Sequence, residues 1–140
     1  MTKQTSKVSR FNGPLVRKAY PWKVPAARSI GLGEYEEFDF EVLYVQMSSS
    51  EVRQMQEDNK DADQTKEWRL MDDILRKHVR GWKGLKWKHT DFEPSEFGVE
   101  PDDDFPFDDD ALTAVLDQLH LKKALTSGFW EFVQGALAKN

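Results

Sequence analysis

The sequence predicts an α+β domain, mainly helical, with an N-terminal β-hairpin or extended arm followed by about four helices, the last two forming a helical hairpin. Three observations carry this expectation. Phe38, Phe40, Val42 and Tyr44 alternate with Glu37, Asp39 and Glu41; apolar residues from Gln64 to Arg80 recur at three- and four-residue steps; and apolar residues at helical spacing run from Leu112 nearly to the C-terminus. A period of two with one charged face is the pattern of a half-buried strand, and the longer period is that of amphipathic helices.

In chain order, residues 1–13 are polar and basic and lead into the turn signal Asn12-Gly13-Pro14, so they read as a flexible arm. Residues 14–140 read as one domain with an acidic loop at 91–108. Leu15 to Val24 alternates, but Pro21 confines it to an edge strand or extended arm. A loop follows around Gly31-Leu32-Gly33, and then the strand Glu36 to Met47. Ser48 with Glu51 three residues on forms a capping box for a helix from Ser49 to about Asn59. The next helix carries Trp68, Met71, Leu75 and Val79 on one stripe, widened by Leu70 and Ile74, and Gly81 is expected to end it. Asp108 suits an N-cap, with Asp109 and Asp110 at the positive end of the helix dipole. That helix presents Leu112, Val115, Leu116 and Leu119, and the last one, about Leu121 to Ala138, presents Leu121, Leu125, Phe129, Phe132, Val133 and Ala136.

Composition narrows the chemistry. The chain has no cysteine, which removes disulfides, thiolate metal sites and thiol nucleophiles. No apolar run approaches the ~18 residues of a membrane span, so a cytoplasmic protein is expected. The net charge of −5 conceals blocks: residues 1–30 hold seven Lys or Arg and no acid, and residues 91–110 hold ten acids and no Lys or Arg. None of His78, His89 and His120 has the spacing of a zinc-binding helix, no serine sits in a nucleophile elbow, and Gly31-Leu32-Gly33 lacks the third glycine of a phosphate cradle. The clustered Asp102-Asp103-Asp104 and Asp108-Asp109-Asp110 lack the central glycine and terminal glutamate of a calcium loop. The expectation is therefore a non-catalytic binding protein with no cofactor and no metal. An acidic catalytic pair remains conceivable, although nothing in the sequence buries one acid to separate the two pKa values.

Two segments offer binding surfaces. Arg76 to Lys88 interleaves six Lys or Arg with Trp82 and Trp87, which would suit nucleic acid. Basic residues at a helix C-terminus explain the same pattern, and the acidic stretch that follows can fold back and neutralise it. In the last helix, Phe129, Trp130, Phe132, Val133 and Leu137 spread over more than half the circumference, more than one contact face needs. Phe129 and Phe132 suit core anchors and Trp130 an outward contact, although burial of the whole arc is an equal alternative.

The order of these features resembles the tail assembly chaperones of long-tailed bacteriophages and prophages. The resemblance rests on a strand of alternating aromatics, Gly81-Trp82-Lys83-Gly84-Leu85 after a helix, an acidic loop closing in Phe105-Pro106-Phe107-Asp108, a leucine-rich helix and a final helix running to Lys139-Asn140. It covers roughly residues 36 to 140. It implies a factor of the host cytoplasm, absent from the mature virion, that coats the tape measure protein and keeps it soluble until tail-tube subunits replace it. It further implies self-association, a possible contact with the tail-tube protein, and in many members a longer frameshifted form. The partner-binding residues expected on this reading are Phe129, Trp130, Val133, Leu137, Trp82 and Leu85, with a nucleic-acid-binding accessory protein using residues 76–88 as the alternative.

Overall fold

The structure, a computed structural model, describes residues 17–138, with side chains as far as Gly135. The arm expected over residues 1–13 lies outside the described residues. Strand β1 (Ala19–Gly31) turns at Leu32-Gly33 into β2 (Glu34–Val45), and the two pair in antiparallel register from Ala19↔Val45 to Gly31↔Glu34. A third strand, β3 (Val79–Lys83), pairs with the other edge of β2, giving an antiparallel sheet of order β1-β2-β3. The helices are α1 (Ser49–Asn59), α2 (Gln64–His78), α3 (Asp109–Leu116) and α4 (Leu119–Ala138), with short 3₁₀ turns at Trp87–His89 and Pro94–Phe97.

The expected mainly helical fold is thus corrected to a three-stranded antiparallel sheet, its third strand set between α2 and α3, packed against helices. The strand missed in the sequence is β3. Val79 continues the apolar stripe of α2, and the five residues of β3, Val79 included, are too few to show a period of their own. Gly81 is not a helix stop: it is a buried strand position opposite Leu43, and a Cβ there would lie 3.2 Å from the Leu43 Cδ1. The register slips between Leu43 and Tyr44, leaving Arg80 as the extra residue, so that Val79 opposite Tyr44 and Trp82 opposite Val42 both turn inward.

The expected hairpin of the last two helices is also corrected. Only Asp117 and Gln118 separate α3 from α4, and α3, about 12 Å long, cannot cover an α4 of about 30 Å. Instead α4 lies chiefly along β1 and also touches β2, α2 and α3. This explains the wide apolar arc of the last helix: neighbours on several sides take it up. The core gathers Val24, Phe40, Val42 and Tyr44 from the sheet, Leu75 from α2, Leu112 and Val115 from α3, and Leu121, Leu125, Phe129 and Phe132 from α4. Tyr44 donates its hydroxyl to the Leu125 carbonyl at 2.8 Å; burial, and secondarily the charge of Glu131, raise its pKa far above the ordinary tyrosine value, so it stays a donor.

The capping box of α1 forms as the sequence indicated: the Glu51 N–H donates to Ser48 Oγ and the Ser48 N–H to Glu51 Oε1. No residue of α1 is buried. Its polar anchor is Glu51, 3.4 Å from Arg17 Nη1 and 3.0 Å from Nε2 of the buried His78, whose Nδ1 donates to the Val45 carbonyl at 2.9 Å. Partial burial pushes the Glu51 pKa up, but the hydrogen bonds at Ser48 and the charges of His78 and Arg17 outweigh it and bring the carboxyl below its usual range.

Candidate partner-binding surface

The segment from Gly81 to Lys88 and the acidic loop are stitched together. The Trp82 indole donates to the Phe105 carbonyl at 2.7 Å, the Phe105 N–H donates to the Leu85 carbonyl at 2.8 Å, and the Trp87 N–H donates to the Asp103 carbonyl at 3.0 Å. The Trp82 ring stacks on Phe105 and meets Phe107 edge-on. Lys86 pairs with Asp104 at 2.6 Å and Lys88 with Asp102 at 2.7 Å. The last pair is held first by its hydrogen bond and then by the opposite charges, which together raise the lysine pKa and lower that of the aspartate. The acidic stretch therefore folds back on the basic one. Trp87, half-buried, packs among Phe92, Phe97 and Phe105, so neither tryptophan offers the free stacking face that a nucleic-acid platform uses.

This closure yields a clean test. Trp82→Phe keeps the ring in the core but leaves the buried Phe105 carbonyl without its donor, and should cost about 1–2 kcal/mol in a thermal or urea melt. A melt unchanged from wild type would mean that water replaces the indole.

Of the six residues expected to contact a partner, Trp82, Leu85 and Phe129 lie in the core, Leu85 and Phe129 at 0% exposure. Trp130 and Val133 are half-buried against that core, and the Leu137 side chain lies outside the described residues. Phe132 is buried beside Phe129, both rings lying 5.6 Å from Tyr44. Among the described residues, only Trp130 and Val133 of these positions keep an appreciable part of their surface exposed. Gly128 explains how α4 comes so close to the sheet: a Cβ there would stand 2.6 Å from Val24 Cγ2 and 2.7 Å from the Tyr44 hydroxyl.

Three of the exposed large apolar residues sit together elsewhere. Leu32 is fully exposed at the tip of the β1–β2 hairpin, in a left-handed conformation (φ 52°) between two positive-φ glycines, and Ile30 and Tyr35 flank it at 51% and 68% exposure. A large apolar side chain in a turn gains nothing from folding there, which makes the tip a candidate contact. The tip was read in the sequence only as a glycine loop. The signal that would have distinguished it is that Ile30, Leu32 and Tyr35 interrupt an otherwise polar turn.

Beneath the tip runs an open groove of about 640 Å³ between β1 and the first half of α4. Pro25, Ala27 and Ser29 line one wall, Leu119, Lys123 and Ser127 the other, and Tyr35 joins the groove to the tip. Its polar side is built from distant segments. Arg28 lies 3.5 Å from Asp91 and donates to the Lys88 carbonyl at 3.1 Å; its Nε is buried without a hydrogen bond. His120 lies 3.8 Å from the same carboxylate through Nδ1, while its Nε2 donates to the His89 carbonyl at 2.7 Å.

No protein-family model, curated protein or solved structure matches this chain. Its surfaces must be read from their own chemistry. Among the described residues no group of three or more His, Asp or Glu is placed to hold a metal ion.

His89 supports the groove from behind, its ring stacked on Phe38 at 4.0 Å and its Nδ1 accepting the Lys86 N–H at 3.0 Å. Burial first, and then the cations Lys88, Lys86 and Arg28, lower its pKa against the opposing pull of Glu36. The unfolded chain takes up a proton at about 6.5, where the folded chain resists it, so stability should fall as pH drops below that value. Urea melts at descending pH should therefore show the wild type losing stability faster than His89→Gln. Parallel curves would exclude His89 as the source.

Proposed function

We propose that this chain is a tail assembly chaperone of a long-tailed bacteriophage or prophage, a non-enzymatic protein of the host cytoplasm that binds the tape measure protein and keeps it soluble during tail-tube assembly. The observation that carries this reading is the Trp82–Phe105 hydrogen bond. The two sequence segments on which the family resemblance rests, Gly81 to Leu85 and Phe105 to Asp108, are far apart in the chain yet form one packed unit. Their packing into one unit supports reading them as parts of a single scaffold.

On this reading the tryptophan–glycine turn belongs to the scaffold, and contact with the partner falls to the hairpin tip and the groove below it. The tip supplies exposed apolar area, and the groove supplies a concave wall with a few polar groups to orient what enters. Self-association and contact with the tail-tube protein belong to the same proposal. No described helix is long and apolar enough to cross a membrane.

The decisive experiment is co-expression with a tape measure protein. The chaperone reading expects a rise in the soluble fraction of that protein and co-elution of the two on size exclusion. Insolubility unchanged by the presence of this chain, with no shared peak, would refute it.

A further inference from the structure

We infer that the edge of β1 at Ala27 and Ser29 receives an extended segment of the partner as an added strand, with α4 as the opposite wall of the groove. The identity of the partner rests on the chaperone reading above; the mode of contact rests on the strand.

β1 is an edge strand, so alternate residues turn their backbone N–H and C=O groups away from β2. Proline in a strand is tolerated where its nitrogen faces outward and no ladder bond is lost. Pro21 and Pro25 share that parity, which places Lys23, Ala27 and Ser29 on the outward set and Ala26 and Arg28 on the ladder. Two prolines blunt the first half of the edge, since Lys23 is left as an isolated donor between them. Beyond Pro25 no described strand pairs with the edge, which has successive outward donors at Ala27 and Ser29, and this is the part that lines the groove.

The opposite wall specifies the side chains of the incoming segment. Leu119, 55% exposed, and Lys123 are one turn apart on α4, about 6 Å along its axis. Side chains two positions apart on a strand lie about 6.7 Å from each other on one face. An added strand with an apolar and an acidic side chain two residues apart would meet both. The charge preference follows from the groove: it is lined by Arg28, His120 and Lys123 against the single acid Asp91, and Asp91 already faces Arg28 and His120. Among the described residues lining the groove, Lys123 is the cation with no ion-pair partner, and it faces the ligand.

The test is residue-resolved amide hydrogen exchange on the full chain, alone and in complex with the co-expressed tape measure protein. In the free chain Ala27 and Ser29 should exchange rapidly while Ala26 and Arg28 are protected. In the complex, exchange at Ala27 and Ser29 should slow at least ten-fold. Ala27→Pro, which removes only an outward donor, and Lys123→Glu should each weaken the complex ten-fold or more with circular dichroism unchanged. A stable complex with Ala27 and Ser29 still exchanging freely would overturn strand addition while leaving the chaperone reading intact. Absence of any complex would remove the chaperone reading and the proposed occupant with it. Slow exchange at these amides in the free chain, together with a dimeric mass, would overturn the inference by placing a second copy in the groove. Should Ala27→Pro fail to fold, the wild-type exchange data and Lys123→Glu still decide.

Discussion

Replacing Gly128 with valine is expected to destabilise the protein by about 3 kcal/mol or more, the scale of severe overpacking in a close-packed core. Glycine inside a helix is ordinarily a weakness, and changing it to alanine typically gains about 1 kcal/mol of helix propensity. Here that gain is opposed by geometry. The first added carbon would stand 2.6 Å from a methyl of Val24 and 2.7 Å from the Tyr44 hydroxyl, distances that real Cβ atoms essentially never show. Neither neighbour can retreat easily, because Val24 and Tyr44 are fully buried and the Tyr44 hydroxyl is bonded to the Leu125 carbonyl. α4 must lift from the sheet instead, loosening Leu125, Phe129 and Phe132 together. Gly128→Ala should lower stability less than valine but with the same sign. Urea unfolding in which the alanine variant is more stable than wild type would mean that α4 slides at no cost, and the close approach would lose its significance.

The second large effect is expected at Lys122. Its side chain is 2% exposed, with Nζ 2.7 Å from Asp72 Oδ1, 3.2 Å from the Trp68 carbonyl and 3.8 Å from the centre of the Trp68 ring. The Asp72 contact is short but does not have hydrogen-bond alignment, so its attraction is mainly coulombic. Removing one member of a fully buried pair costs about 3–5 kcal/mol. Asp72 is one-third exposed, and its stranded charge can take up water, so Lys122→Ala should cost about 2–3 kcal/mol. Lys122→Met keeps the stem packed, and Lys122→Met with Asp72→Leu removes both charges. The double variant should recover much of the loss, and a double-mutant cycle measures how much. If the double variant is as unstable as the two single variants added together, the charges do not interact and packing alone holds the lysine.

Local regularities were legible in the sequence, and what depended on distant segments was not. The alternation in β2 identified Phe40, Val42 and Tyr44 as its inward face, and the capping residues Ser48, Glu51 and Asp108 cap the helices they were assigned to. β3 was hidden because its apolar residues continue the helical stripe of α2 and its inward pair depends on a bulge that only pairing with β2 reveals. Trp82 and Leu85, set among lysines, read as surface; they are buried because Phe105 and Phe107 return to cover them from about 20 residues away. The groove combines residues near 28, 91 and 123, which no periodicity connects. Phe129 was read both as core anchor and as contact residue, and its neighbours Tyr44 of β2 and His78 of α2, with ring centres 5.6 Å and 5.2 Å away, decide for the core.

α1 is expected to respond differently from the rest of the molecule under denaturing conditions. Because it buries no side chain completely, its departure would uncover little apolar surface, and both the heat-capacity change and the urea dependence of that step would be small. Its charged tether involves partly exposed groups on Arg17 and Glu51, so added salt should loosen it where urea barely does. Two responses are therefore expected: a cooperative body sensitive to denaturant, and a helix whose exposed Arg17–Glu51 contact is sensitive to ionic strength.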